Sequence, residues 1–295
     1  MTYSELEAFL TIVNYNSFSA AANALFITQP ALSRKLGYLE KELGYRLFVR
    51  SKGNHNIYLT QEGNEFIHIA KELKRLMEIS KSINTDSPKK LDINMAYPFT
   101  STVWDGIIED FIASMPDNRF SLTHAPSPSA YSMVENGTID LAITVNPQHS
   151  SLAETIPIIN QDLFVLSRKK LSDSDYVKMD DMDVKKEVFF PLSNNLISWH
   201  TSKFGLSAVP RATVDNRDML NKYMSNDDVW LFASYFLKEY VVSKYNFYSY
   251  KIADEHPEII IHAVKSKYNL NPAVDMFLDH IKNSIPDDNG ITIIK

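Results

Sequence analysis

Cysteine is absent from all 295 residues, which excludes disulfides, thiolate metal sites and any thiol-based redox switch. Glycine is scarce, with eight in the whole chain. The glycine-dependent motifs are missing with it: no Gly-x-Gly-x-x-Gly, no P-loop and no Gly-x-Ser-x-Gly. There is no His-Glu-x-x-His either, and the histidines, among them His68, His124, His149 and His200, stand nowhere at metal-ligand spacing. Neither a metal nor a cofactor is expected, and an enzyme reading finds no supporting residue. Long hydrophobic runs are also lacking. The longest, residues 229–237, includes Ser234 and reaches about half of what a bilayer requires, so no membrane partner is expected. No basic region followed by an apolar core opens the sequence, and a cytoplasmic location is the expectation.

The net charge is −6, unevenly distributed. Residues 1–60 carry six Lys/Arg against four Asp/Glu, residues 61–88 four against five, and the remainder twenty against twenty-seven. Positive charge is thus concentrated at the start of the chain. Phosphate attraction needs a local patch rather than a basic whole, and so small a local excess favours an oligomer for nucleic-acid binding.

That basic segment holds the most informative stretch. Residues 17–40 predict two short helices joined by a tight turn at Ile27-Thr28. The first is alanine-rich from Ala20 to Ala24 and permits close approach of another backbone. Thr28 suits an N-cap, and Pro30 falls in the first turn, where its missing N–H costs nothing. Leu32, Leu36 and Leu39 make a buried stripe, leaving Ser33, Arg34 and Lys35 to face elsewhere. A helix-turn-helix lays such a second helix in the DNA major groove. Leu6, Phe9, Leu10 and Val13 form an amphipathic helix that can roof the pair. Residues 42–50 and 57–60, around a Gly/Asn turn at 51–56, read as a β-hairpin wing.

Four blocks in order, Gln-Pro-Ala-Leu-Ser-Arg, Leu-Glu-Lys-Glu-Leu-Gly, Leu-Phe-Val-Arg and Leu-Thr-Gln-Glu-Gly, resemble the LysR-type transcriptional regulator family. The resemblance implies a sequence-specific DNA-binding regulator acting as a homodimer or homotetramer on promoter or operator DNA. Gln29, Pro30, Ser33 and Arg34 would approach bases and adjacent phosphates, with Ser19, Thr28 and Lys35 in support and Arg50, Lys52 and His55 carrying the wing to flanking phosphates.

Thr60 caps a further helix, in which Phe66, Ile69, Leu73, Leu76, Ser80 and Ile83 recur in steps of three and four. This a/d seam is either a short coiled coil or a helix packed on its own domain; in the resembled family the segment is the dimerising linker helix. Residues 84–90 read as a polar hinge. Domains are therefore expected at 1–60, 61–88 and 89–295.

From Leu91 strands alternate with helices: strands at 91–95, 119–124 and 140–145, and helices at 100–115 and 130–135 that end at Asn136-Gly137. A second unit has strands at 163–166, 188–190 and 212–214, helical or buried segments at 219–224 and 229–235, a strand at 259–264 and a helix at 272–281. The alternation argues for a parallel sheet. The phrase Glu-Asn-Gly-Thr-Ile-Asp-Leu-Ala-Ile-Thr resembles the family's effector-domain signature. The fold class expected is thus α/β: an N-terminal winged helix-turn-helix, a linker helix, and an effector domain of two α/β subdomains resembling type 2 periplasmic binding proteins. One departure is visible, since the family's usual Gly-x-Gly turn before the late buried strand is here Asn226-Asp227-Asp228.

Ligands of open α/β folds bind beyond the carboxyl ends of the strands. Phe99, Thr100, Ser101 and Thr102, then Ser127 and Ser129, Asn146 and Asn195 follow four separate predicted strands. Hydroxyls at two helix N-termini suit a carboxylate or other anion, although Ser and Thr are also ordinary N-caps. No Lys or Arg adjoins these loops, so a small organic effector with at most two charges is expected. A small-molecule-binding protein without DNA function is the rival reading, opposed by the N-terminal blocks.

Overall fold

The computed structural model describes residues 1–49, 57–82, 92–96, 102–215, 217–223, 228–269, 271–285 and 290–294. Three helices open it: α1 (Tyr3–Tyr15), α2 (Phe18–Ala24) and α3 (Gln29–Leu43). Each starts on a side-chain cap. Thr2 and Glu5 form a reciprocal capping box on α1, Ser17 accepts from the Ala20 N–H, and Thr28 accepts from the Ala31 N–H at 3.4 Å. Leu32, Leu36 and Leu39 face inward as the spacing predicts, against Leu6, Phe9 and Ile12 of α1 and Ala21 and Ala22 of α2. The small alanines let α2 approach its neighbours closely.

Strands β1 (Phe48–Val49) and β2 (Tyr58–Leu59) pair antiparallel, Phe48 opposite Leu59. The wing tip, with Arg50, Lys52 and His55, lies outside the described residues. A buried carboxylate anchors the wing's base. Glu40 of α3 accepts from the Leu47 N–H at 2.8 Å and from the Arg46 guanidinium at 2.7 Å. The glycine of the Leu-Thr-Gln-Glu-Gly block has a steric cause, because a Cβ on Gly63 would stand 2.1 Å from the Leu47 carbonyl oxygen.

Helix α4 (Gln61–Ser82) follows. Its expected a/d seam is divided. Phe66 is buried in the winged-helix core and Leu73 packs partly against it, joined by Ile67 and Ala70, whereas Ile69 and Leu76 are 41% and 48% exposed. The helix wets one half of the stripe because its first turns must also close the N-terminal core. Ile83 lies outside the described residues.

The remainder is built on two sheets. Its elements are β3 (Asp92–Ala96), α5 (Thr102–Ser114), β4 (Arg119–Thr123), α6 (Ser127–Glu135), β5 (Leu141–Thr144), β6 (Ala153–Gln161), β7 (Leu163–Ser167), β8 (Tyr176–Val177), β9 (Val188–Phe189), α7 (Asn194–Phe204), β10 (Ala212–Thr213), α8 (Arg217–Tyr223), β11 (Trp230–Ser234), α9 (Tyr235–Lys244), β12 (Tyr248–Ile252), β13 (Ile259–Ser266), α10 (Pro272–Ser284) and β14 (Ile291–Ile293). The first sheet has the order β14-β6-β13-β5-β3-β4, the second β11-β7-β12-β8, and β9 pairs β10 separately.

The expectation of a parallel sheet is corrected. Only β4-β3-β5 are parallel in the first sheet, while β13 runs antiparallel to β5 and β6. In the second, β7 is antiparallel to both β11 and β12. The cause is connectivity. Strand β6 leaves the first sheet and β7 enters the second with only Asp162 between them, and the chain returns between β12 and β13, so β6 and β13 pair antiparallel in the first sheet and β7 and β12 in the second, while β12 keeps a parallel partner in β8. Residues 230–234 are a strand with all five residues buried, whereas α9 supplies the helix beyond them. At the crossing, buried Gln161 accepts from the Phe236 N–H at 3.1 Å, satisfying one of the orphan donors at the α9 N-terminus.

The apolar faces of both sheets join in one core, in which Phe111 packs against Phe277 and Trp104 against Phe236. On the far side of the first sheet, Ala130, Tyr131 and Val134 of α6 cover Ala142 and Val264.

Candidate nucleic-acid interface and effector cleft

The N-terminal half of α3 presents polar groups outward while its leucines hold the core. Gln29, Pro30, Ser33 and Arg34 are exposed, and Ser19 at the start of α2 donates to Gln29 Oε1 at 3.3 Å, orienting that amide. The Arg34 Nε donates to the Pro30 carbonyl at 3.4 Å and the residue is exposed, so its guanidinium can still make a bidentate contact through the terminal nitrogens. Lys35 is engaged differently. It is half-buried, and its ammonium donates to the Ser4 hydroxyl at the start of α1.

In the second half of the chain the structure links three of the segments singled out from sequence. Ser127, the first residue of α6, is buried with its hydroxyl 2.5 Å from that of Thr144 at the end of β5. The same Thr144 oxygen accepts from the Asn146 N–H at 3.1 Å. Asn146 then reaches across to the other subdomain, where its carboxamide oxygen accepts from the Asn194 N–H at 2.7 Å, the first turn of α7. Asn195 and Ser129 are exposed. Phe99, Thr100 and Ser101 lie outside the described residues, as does the side chain of Thr102, whose backbone opens α5.

Thr144 is not among the residues expected from sequence, and of the polar run Ser193-Asn194-Asn195 that follows the fourth strand only Asn195 is among the expected site residues. A hydroxyl ending the apolar run Leu-Ala-Ile was the available signal for the first. The Asn194 side chain is exposed, and its contribution is a backbone N–H, which no residue type announces.

Two further polar clusters came only with the structure. Glu187, fully buried, accepts from His200 Nε2 at 2.7 Å, with Phe189 and Phe204 against the imidazole, and burial raises the Glu187 pKa. This pair ties α7 to the residue that precedes β9. The second joins the two halves of the chain: His68 on α4 donates from Nε2 to the Glu135 carbonyl at 3.3 Å and stacks on Tyr268 at 6.5 Å between centroids. Burial lowers the His68 pKa from 6.5 to about 4, and burial also lowers that of Lys71, opposed by Asp140. Among the described residues no group of three His, Asp or Glu could hold a metal ion, and no helix is long and apolar enough to cross a membrane.

Comparison with known proteins fits this geometry. YtlI, an HTH-type transcriptional regulator of Bacillus subtilis, is 26% identical over 199 residues, 65% of this chain and 63% of YtlI. YwbI of the same organism, an uncharacterised HTH-type transcriptional regulator, is 32% identical over 194 residues, 64% of each chain. The chain thus spans a little under two thirds of these curated relatives, which are described as regulators and not as enzymes. Among solved structures, a full-length OxyR variant of Pseudomonas aeruginosa superposes with a TM-score of 0.65 at 16% identity, covering 98% of this chain and 99% of its own. Full-length LysG of Corynebacterium glutamicum with bound effector Arg gives 0.68 at 15%, covering 96% and 98%. CbnR complexed with its target DNA gives 0.55 at 19%, covering 96% and 99%. These likenesses carry the fold. The family described as bacterial regulatory helix-turn-helix protein, lysR family, matches residues 3–64, the LysR substrate binding domain matches residues 86–285, and the chain belongs to the LysR family.

Proposed function

We propose that this chain is a sequence-specific transcriptional regulator, a cytoplasmic homo-oligomer that binds operator DNA through α3 and the wing and responds to a small organic effector. The observation that carries the reading is the division of labour on α3. Its leucines are consumed by the core, while Gln29, Pro30, Ser33 and Arg34 are exposed on the turn that a helix-turn-helix lays in the major groove. Arg34 suits bidentate recognition of guanine and Gln29 suits adenine. Thr28 and Ser19 hold the helix start, and Arg50, Lys52 and His55 extend the contact to flanking phosphates.

Division at 1–60, 61–88 and 89–295 is part of this proposal. The stripe of Ile69 and Leu76, seven residues apart and exposed, supports pairing of α4 with a second copy. The effector is placed between the subdomains, at Phe99, Thr100, Ser101, Thr102, Ser127, Ser129, Asn146 and Asn195. The Asn146–Asn194 hydrogen bond supports this placement. A carboxamide oxygen on the first turn of α7 occupies the position that a ligand carboxylate would take. A ligand that replaces it would bind the two subdomain arrangements unequally and so shift their populations.

Gel shift with DNA upstream of the protein's own gene tests the reading. A discrete complex that survives excess nonspecific duplex is expected, and the absence of any such complex would refute it. The double change T100V/S101A is expected to abolish effector response without weakening DNA binding by the unliganded protein.

A further inference from the structure

Several helix C-termini among the described residues are followed by a residue with positive φ, and one of these residues is out of place. Helix α6 ends with the Gly137 N–H donating to the Val134 carbonyl at 3.0 Å and the Thr138 N–H to the Met133 carbonyl at 2.8 Å, with Gly137 at φ +66. Helix α3 is followed by Gly44 at φ +81 and α1 by Asn16 at φ +44. Glycine and asparagine are the residues that enter this region at little cost.

Helix α2 ends in the same hydrogen-bond pattern. The Phe26 N–H donates to the Asn23 carbonyl at 3.1 Å and the Ile27 N–H to the Ala22 carbonyl at 3.0 Å. Here the left-handed position, φ +54, is held by a phenylalanine. A bulky side chain there is conformationally costly. Burial does not offset the cost, since Phe26 is 96% exposed. The fold would be served better by glycine, so the ring acts outside the fold.

Its surroundings say where. Phe26 stands two residues before Thr28, the N-cap of α3, in the turn that precedes exposed Gln29 and Pro30. We propose that the Phe26 ring is a DNA contact, placed against apolar groups at the edge of the major groove, thymine methyls and deoxyribose carbons. Resting on the DNA-binding reading above, this adds to its polar contacts an apolar one, of the kind that phenylalanine makes with thymine. Because the contact costs no charge, it contributes nothing to the salt dependence of binding.

The test uses the full-length protein and a duplex that the wild type enriches from a randomised pool. F26G is expected to melt at or above the wild-type temperature without DNA, since strain is relieved and no packing is lost. Its Kd on the enriched duplex is expected to rise by roughly five- to ten-fold, the loss expected for one partly buried aromatic contact, with an unchanged slope of log Kd against log salt. F26L, which keeps an apolar side chain, is expected to fall between the two. Equal affinity of F26G and wild type, or a marked fall in melting temperature, would overturn the assignment of Phe26 alone. A wild type that enriches no duplex would overturn the DNA-binding reading along with it.

Discussion

At Gly137 the two halves of the chain are in close contact. A Cβ at this position would lie 2.7 Å from Ile67 Cγ2, 3.2 Å from Lys71 Nζ and 3.3 Å from His68 Cε1, all on α4. Lys71 can swing away, but Ile67 is fully buried in the winged-helix core and has nowhere to go. Alanine at 137 therefore faces two penalties. The φ of +66 costs it about 1–2 kcal/mol, and overpacking against Ile67 adds about 1–3 kcal/mol. The second is avoided by separating α4 from α6, which also gives up the His68–Glu135 hydrogen bond and the Tyr268 stack. G137A is expected to undock the halves while each stays folded. Hydrogen exchange would show faster exchange at residues 66–72 and 133–138, and small-angle scattering a larger radius of gyration. G137N separates the causes, because asparagine tolerates the left-handed region yet brings the same Cβ. It should undock nearly as well as G137A. If G137N exchanged and scattered like the wild type, the steric account would be refuted.

Burial keeps His68 neutral, so the undocked state takes up a proton that the docked state refuses. Docking should therefore be strongest above pH about 6.5 and weaken by about 1.4 kcal/mol per unit as the pH falls towards 4; scattering followed across that range should show no such change for H68Q. L36A should destabilise the winged helix by about 2–5 kcal/mol, measured by denaturant unfolding, because Leu36 is part of the buried stripe. E40A removes the acceptor for the Leu47 N–H and the Arg46 guanidinium, and should cost about 1–3 kcal/mol in the same assay. E40Q keeps one acceptor and should cost less. N146A should loosen α7, seen as faster exchange at the Asn194 amide.

Much of the N-terminal fold was legible because its local rules agree with one another. The leucine spacing, Thr28 cap and Pro30 of α3 all specify one helix in one register. In the later half the readable elements were helices with one buried face, such as α10 with Val274, Phe277, Leu278 and Ile281 inward, and short, wholly buried apolar strands such as β5 and β7. Strand β11 defeated the periodicity because its buried apolar run continues directly into the buried Tyr235, Phe236 and Leu237 of α9, so that no change of period marks where strand gives way to helix. Strand β6 went unread since Glu154, Pro157 and Asn160 interrupt its apolar positions at a sheet crossing. The heptad on α4 was real in spacing but shared between two environments, and sequence carries no mark of which residue meets which. At the candidate site the hydroxyls and amides were identifiable by type and position. The contact that joins Asn146 to α7 was not, because its donor is a backbone N–H.

Base recognition by α3 is the central claim, and a selection experiment measures it most directly. Wild-type protein and R34A would each be used to enrich duplexes from a randomised pool, and the enriched sequences compared. The account predicts a defined motif for the wild type, and for R34A loss of preference at one guanine in each half-site, worth about 1–3 kcal/mol, with preferences elsewhere retained. Identical motifs for both proteins, or no motif for the wild type, would contradict it.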